Sequence, residues 1–195
     1  GSDDYVWSAV VDIQGAKLSM RNCTIDGSLG CGMDLEYEAK LMAFEGNTIK
    51  NCAKYPIISG DWCSLFDLNA NNTFSNNTKN FVAAYCSGID MTENTTIKKL
   101  PIPYYIDYGI SVSGGYKLTI EAGTEFYVNS EKEIRIAEES ALIANGTAAE
   151  PIVFRGMENE IGYWRGIRYH SQKESSIMNY CKIGNCGENE AGFWS

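Results

Sequence analysis

The chain has 195 residues with 16 basic and 25 acidic side chains, which gives a formal charge of −9. This length is typical of one domain, and 44% hydrophobic residues suffice to form a core. Because the acidic excess is spread over both halves of the chain, nucleic acids and anionic membranes are poor partners. No apolar stretch reaches the roughly 18 residues that a membrane-spanning helix needs.

A short motif repeats along the first two thirds of the chain. Thr followed by a large apolar residue recurs at intervals of 24, 25, 23 and 23 residues. The five pairs are Thr24-Ile25, Thr48-Ile49, Thr73-Phe74, Thr96-Ile97 and Thr119-Ile120. A unit of this size, with two or three short strands, cannot bury its apolar face alone, so successive units must stack. The repeat predicts an all-β fold, a single-stranded right-handed parallel β-helix of about eight turns with about 24 residues per turn.

Alternating residues precede each repeated Thr. Eleven residues before it stands a mostly aromatic column made of Ile13, Tyr37, Trp62, Tyr85 and Tyr108. One residue earlier stands a mostly acidic column made of Asp12, Glu36, Asp61, Ala84 and Asp107. Such alternation is typical of a strand with one buried and one wet face. The aromatic column and the apolar residues after each Thr are both expected to point inward, and Asn47 and Asn72 are expected to stack at a turn.

The second half keeps strand-length apolar runs, at residues 134–136, 142–143, 152–154, 164–167 and 177–183, and Gly or Pro separates the second, third and fourth of them. The short sequence motifs near Trp7 and Met20 recur near Trp164 and Met178, which predicts that the chain is a segment of a longer solenoid. We interpret residues 1–2 as a cloning remnant and residues 3–195 as one β-helix domain. Open solenoid ends expose strand edges, so end-to-end self-association is expected.

An ordered run of four phrases, at residues 117–126, 144–154, 162–167 and 179–183, resembles secreted right-handed parallel β-helix repeat proteins of Bacteroides-type bacteria. The resemblance implies an extracellular or cell-surface location and a non-catalytic module, either a surface scaffold or a glycan-binding element. The alternative is a polysaccharide lyase or glycoside hydrolase that acts on acidic glycans. The sequence lacks galacturonase signatures, which favours the non-catalytic module.

The acidic column is the candidate metal site. Like charges about 5 Å apart in water repel by roughly 0.8 kcal/mol per pair, so such a column requires solvent, a basic neighbour or a cation. Calcium prefers clustered oxygen ligands, which makes Asp12, Glu36, Asp61 and Asp107 its candidate ligands. The other interpretation is a solvated outer face without a bound ion.

Candidate glycan contacts come from two features. Arg155, Arg165 and Arg168 lie close in sequence and could meet an anionic glycan, or could simply balance the surrounding Glu residues. Trp62 would join a glycan-binding strip if the aromatic column pointed outward instead of inward. No catalytic residue and no required cofactor are predicted.

The seven cysteines include one pair that falls in adjacent predicted turns, Cys63 and Cys86. A separation of about 5 Å would permit a disulfide, and two stacked free thiols would fit equally well.

Overall fold

A computed structural model describes residues 8–65, 67–85, 91, 93–170, 172 and 175–187 of the chain. Within them lie twenty β-strands and one 3-10 helix, Cys63–Leu65, and no α-helix. The described residues contain no helix with the length and apolarity that crossing a membrane requires.

The strands form the three sides of a parallel β-solenoid. The first side is one sheet of eight strands, here called the long sheet: β1 (Ala9–Gln14), β4 (Cys31–Glu36), β7 (Ile57–Ser59), β9 (Val82–Ala84), β11 (Tyr104–Ile106), β14 (Glu125–Val128), β17 (Ile152–Gly156) and β20 (Cys181–Gly184). Because each strand pairs in parallel with the strand of the next turn, equal positions stack about 4.8 Å apart.

The other two sides consist of shorter sheets. The second side contains β2 (Lys17–Arg21), β5 (Lys40–Glu45), β12 (Ile110–Val112), β15 (Glu133–Ile136) and β18 (Gly166–Tyr169). The third side contains β3 (Thr24–Ser28), β6 (Thr48–Cys52), β8 (Thr73–Ser75), β10 (Thr95–Ile97), β13 (Lys117–Ile120), β16 (Ala141–Asn145) and β19 (Ile177–Asn179). The predicted fold class is confirmed.

The prediction of eight turns is slightly too high. About six turns contribute a described element to all three sides, and in one of them the 3-10 helix takes the place of the second strand. The last two turns are longer than the repeat predicts, since Phe126 pairs with Phe154 and Phe154 with Ile183, at intervals of 28 and 29 residues.

The repeated Thr residues align as predicted. Thr24, Thr48 and Thr73 share one register position, and Thr96 pairs with Thr119. The apolar residues that follow them are all buried: Ile25, Ile49, Phe74, Ile97 and Ile120. The predicted contact between Asn47 and Asn72 is also present, because the Asn47 Nδ2 donates to the Asn72 Oδ1 at 3.1 Å.

The predicted inward column of aromatic rings is wrong. Ile13 pairs with Leu35 rather than with Tyr37, which is 73% exposed, and Tyr108 is 46% exposed. The cause is the variable length of the segment that leads from the long sheet through the second side to the third side. The corner before β5 is one residue longer than the corner before β2, and a bulge in β5 adds one more residue. From the paired position on the long sheet to the paired Thr, the chain takes 11 residues after Ile13 and 13 after Leu35. A constant offset from the repeated Thr therefore does not identify paired positions on the long sheet.

A different column lies on the inner face of the long sheet, and it is fully buried from Met33 to Phe154. Its members are Val11, Met33, Ile57, Val82, Tyr104, Phe126, Phe154 and Ile183. Within it the Tyr104 and Phe126 ring centroids lie 5.5 Å apart, and those of Phe126 and Phe154 lie 5.2 Å apart. This inner aromatic stack stabilises the solenoid and leaves the opposite face of the same strands available for other roles.

Candidate functional site

The outer face of the long sheet carries a sequence of side chains unlike that of the inner face. The outer face is defined by the residues that alternate along each strand with those of the inner column. Its central column runs through Asp12, Asp34, Ile58, Ala83, Tyr105, Tyr127 and Arg155. The column thus changes along the solenoid axis from carboxylates through small or aliphatic side chains to aromatic rings.

Five aromatic side chains form a contiguous group on this face, here called the aromatic patch: Tyr55, Phe81, Tyr85, Tyr105 and Tyr127. The Tyr55 and Tyr105 rings are nearly parallel with centroids 6.3 Å apart, and Tyr85 meets both rings edge-on. Phe81 contacts Tyr127 with centroids 5.1 Å apart. All but Tyr55 are partly exposed, so the patch offers ring surface to solvent.

A second apolar cluster, separate from the core, supports the aromatic patch. It consists of Cys31, Tyr55, Ile58 and Ala83, and Phe81, Tyr85 and Tyr105 pack against it. Ala83 is fully buried beneath the rings. The rings of the patch therefore rest on a continuous apolar support on the outer side of the sheet.

Cationic and polar groups orient the rings of the patch. The Lys79 Nζ lies 5.1 Å from the Tyr55 ring centroid, and the Arg155 guanidinium carbon lies 4.0 Å from that of Tyr127. The Tyr105 hydroxyl donates to the Asp107 Oδ1 at 2.9 Å. Burial is the main cause that raises the pKa values of Tyr85 and Tyr105, so both hydroxyls stay protonated and able to donate hydrogen bonds.

Three carboxylates lie at the other end of the outer face, here called the acidic end: Asp12, Asp34 and Glu36. Asp34 is only 6% exposed, and its Oδ1 has no hydrogen-bond partner among the described residues. Burial, together with the charges of Glu36 and Asp12, raises the pKa of Asp34 to about 6. Burial and the charges of Asp61 and Asp12 also raise the pKa of Glu36. The acidic end is therefore a region of concentrated negative charge.

The four predicted metal ligands do not form one column. Asp12 pairs with Asp34, whereas Glu36 pairs with Gln14. The Asp61 carboxylate accepts bonds from the Ser64 backbone N–H and hydroxyl at 2.7 and 2.9 Å, so it caps the 3-10 helix. In the part of the chain that the structure describes, no group of three or more His, Cys, Asp or Glu side chains is arranged to hold a metal ion. The single-column arrangement is wrong, and calcium binding stays a prediction.

Asp107 has partners of its own, away from the other three predicted ligands. Besides the Tyr105 hydroxyl, the Asn129 Nδ2 donates to its Oδ1 at 2.7 Å. These bonds position Asp107 beside the aromatic patch, where it orients the Tyr105 hydroxyl.

The predicted glycan contacts are not brought together. Arg155 lies on β17 in the long sheet, where its Nε is 3.3 Å from the Glu125 Oε1. Arg168 lies on β18 on the second side, and its Nε is 3.0 Å from the Glu133 Oε2. The Arg165 backbone N–H donates to the Lys132 carbonyl just before β18. Only Arg155 therefore belongs to the outer face described here.

Trp62 lies in the core, as the inward orientation predicts for this residue. It is 3% exposed, and its Nε1 donates to the Gly109 carbonyl at 3.4 Å. Its ring is therefore not part of the aromatic patch, and of the predicted aromatic strip only Tyr85 lies there.

The predicted pair of Cys63 and Cys86 lies outside the described residues, because neither Cys86 nor the side chain of Cys63 is described. Cys23, Cys31, Cys52, Cys181 and Cys186 are free thiols. Burial is the main cause that raises the pKa values of Cys31, Cys52 and Cys181, which disfavours their reactive thiolate forms.

A shallow depression lies at the corner between the third side and the long sheet. Its volume is about 580 Å³, and its lining consists of Gly27, Ser28, Leu29, Asn51, Cys52, Ala53, Asn76 and Thr78. Neither an aromatic nor a charged side chain lines it. The outer face of the long sheet therefore offers more recognition chemistry than this depression.

Comparison with known proteins agrees with the fold. Residues 4–96 match the family model for the right handed beta helix region. No curated protein and no solved structure matches the chain. A right-handed β-helix is consistent with a scaffold or a carbohydrate-related module, and the outer face supplies the chemistry from which to choose between them.

Sequence reasoning missed Asp34 and most of the aromatic patch. One signal could have found Asp34, because Val11-Asp12-Ile13 recurs 22 residues later as Met33-Asp34-Leu35. Tyr105 follows the inward Tyr104, and Tyr127 follows the inward Phe126. Because adjacent residues on these strands are both aromatic, the sequence lacks the alternation of apolar and polar residues that would identify the outward ones.

Proposed function

We propose that this protein is a non-catalytic glycan-binding module that holds a saccharide chain on the outer face of its long sheet. The supporting observation is the aromatic patch, which spans successive turns on the face of the sheet turned away from the core. Aromatic rings with one polar end combine apolar contact with hydrogen bonding. A sugar presents both an apolar ring face and hydroxyl groups, so it complements such a surface.

The arrangement of the patch favours a chain over a single small molecule. The rings lie along the solenoid axis on strands about 4.8 Å apart, so successive turns present successive contacts. Shallow surfaces bury less of a small ligand than deep cavities do, and small-molecule sites are normally concave. Several weak contacts in a row suit a polymer, because each additional contact acts within the same complex.

The test is binding to a panel of soluble polysaccharides, measured by affinity electrophoresis, with variants Tyr105→Ala and Tyr127→Ala. Each variant should weaken binding at least about tenfold, because each removes a ring from the patch. Tyr37→Ala is the matched control, since Tyr37 is 73% exposed and lies outside the patch. Equal binding by the wild type and both patch variants would contradict the proposal, and absence of all binding would leave a scaffold as the better description.

A second candidate function rests on the acidic end. A carboxyl group whose pKa is raised, beside a second carboxylate, is the arrangement that glycoside hydrolases use for general acid catalysis. Asp34 and Glu36 are two residues apart on β4, and the pKa of Asp34 is raised to about 6. Release of reducing ends by the wild type, but not by Asp34→Asn or Glu36→Gln, would favour a hydrolase. Ultraviolet-absorbing unsaturated products would instead indicate a lyase.

A further inference from the structure

We propose that the acidic end binds the ammonium group of an amino sugar, so that the glycan held on the outer face is a polymer containing free amines. The inference rests on the proposed glycan-binding function, and it assigns the class of glycan. Two independent features of Asp12, Asp34 and Glu36 support it: their like-charge pairing and the buried, unpartnered oxygen of Asp34.

The first feature is a register that places like charges together. In two other strand pairs of the solenoid, an acidic residue faces a basic one. Asp26 pairs with Lys50, whose Nζ lies 3.2 Å from its Oδ2, and Arg21 pairs with Glu45 at 2.6 Å. Asp12 instead pairs with Asp34. Like charges directly opposite on neighbouring strands are destabilising, so the absence of an opposing base at this position needs another explanation.

The second feature is the environment of Asp34. Only 6% of Asp34 is exposed, and its Oδ1 has no hydrogen-bond partner among the described residues. A buried acceptor without a partner costs free energy that a bound donor recovers. The charges of Glu36 and Asp12 both act on Asp34. The site therefore offers acceptors and negative charge, and it requires a cationic donor.

The chemistry of the site fits an ammonium group better than a divalent metal. An ammonium group is a compact charge with three N–H donors, and it donates hydrogen bonds to acceptors in separate directions. Calcium needs six to eight oxygen ligands in one shell, whereas no group of three candidate side chains in the described residues is arranged to hold a metal. The net charge of −9 also opposes the binding of an acidic glycan.

The acidic end and the aromatic patch are close enough for one oligosaccharide. Along the central column, Ile58 and Ala83 separate Asp34 from Tyr105, so the span is three strand spacings, or about 14 Å. Cys31 is near both regions. It packs in the cluster under the patch, and its pKa is raised mainly by burial and also by the charge of Asp34. Ile58 and Ala83, which lie between the two regions, are covered by side chains of the aromatic patch, among them Tyr55 and Tyr105.

The test compares two oligomers with the same backbone, a glucosamine oligomer with free amines and its fully N-acetylated counterpart. Isothermal titration calorimetry is performed slightly above the pKa of Asp34, which is about 6. The wild type should bind the oligomer with free amines about tenfold more tightly than the N-acetylated oligomer, which is the effect expected from one charge-assisted hydrogen bond. Asp34→Asn and Glu36→Gln should remove this preference and leave binding of the N-acetylated oligomer unchanged.

Asp26→Asn is the matched control, because Asp26 is an acidic residue in a strand but is paired with Lys50 and lies on the third side. It should retain the full preference. Equal binding of both oligomers by the wild type would overturn the inference while leaving the glycan-binding function intact. Binding of neither oligomer, or a preference that survives Asp34→Asn, would also overturn it. If neither oligomer binds and the wider polysaccharide panel is also negative, the proposed function is contradicted as well. Thermal stabilisation by calcium without any preference for the amine would assign the acidic end to a metal.

Discussion

Tyr104 and Tyr105 are adjacent tyrosines on β11, and they show how differently the two faces of the long sheet are used. The Tyr104 ring is fully buried in the inner column, and its hydroxyl donates to the Lys98 carbonyl at 2.8 Å. The Tyr105 ring lies partly exposed in the aromatic patch, with its hydroxyl on Asp107. The inner column is apolar in every turn, whereas the outer column changes from acidic to aromatic. The constant face stabilises the fold, and the varied face carries the recognition chemistry.

The largest expected effect comes from breaking the inner aromatic stack. Phe126→Ala should lower the free energy of unfolding by about 3 to 5 kcal/mol, because it leaves a cavity between Tyr104 and Phe154. Tyr127→Ala is the matched change on the next residue, and it should cost about 1 kcal/mol, since Tyr127 is partly exposed. Urea unfolding followed by circular dichroism measures both. Similar losses for the two variants would mean that the outer ring is also structural.

The acidic end should make stability depend on pH in a direction opposite to that of an ordinary surface carboxylate. The pKa of Asp34 is raised from 3.8 to about 6, so the folded state keeps a proton that the unfolded state releases in this range. Its contribution to stability is present below pH 3.8 and is lost as the pH rises through about 6. At about 1.4 kcal/mol per pKa unit, the loss is at most about 3 kcal/mol.

The measurement for Asp34 is urea unfolding of the wild type and of Asp34→Asn on both sides of this pH range. The free energy of unfolding of Asp34→Asn should increase relative to that of the wild type as the pH rises. For Asp26→Asn, the difference in the free energy of unfolding should change with pH in the opposite direction. Hydrogen bonds from Asn51 and Lys50 lower the pKa of Asp26, so its contribution appears as the pH rises and is lost in acid. A pH-independent difference between the wild type and Asp34→Asn would show that Asp34 is solvated rather than buried.

The parts of the fold that the sequence predicts are those within single strands. Thr24, Thr48 and Thr73 align because the residues around them form the strands of the third side, where paired backbones enforce register. Ile25 and Ile49 are inward for the same reason. Within a strand, a period of two residues links sequence position to orientation without reference to the rest of the chain.

The parts that the sequence does not predict depend on the corners. Tyr37 and Tyr108 follow strands rather than lie in them, so their distance from the repeated Thr says nothing about their orientation. The length of each corner is set by local turn geometry, as at Tyr37 and Glu38, which both adopt positive φ angles of 55° and 58°. Loops tolerate insertions at small entropic cost. The offset from the repeated Thr therefore does not predict the outer-face residues, which align only through the strand pairs of the long sheet.

The smallest expected effect compares the two hydroxyls of Tyr104 and Tyr105. Tyr104→Phe should cost about 1 to 2 kcal/mol, because the Lys98 carbonyl loses its donor at the edge of the core. Tyr105→Phe should cost about 0.5 kcal/mol, because the Asp107 Oδ1 keeps the bond from the Asn129 Nδ2 at 2.7 Å. The order of the two losses in urea unfolding is the informative result. If Tyr105→Phe costs more than Tyr104→Phe, the outer face contributes to folding as strongly as the inner one, and the division of labour between the two faces of β11 would not hold.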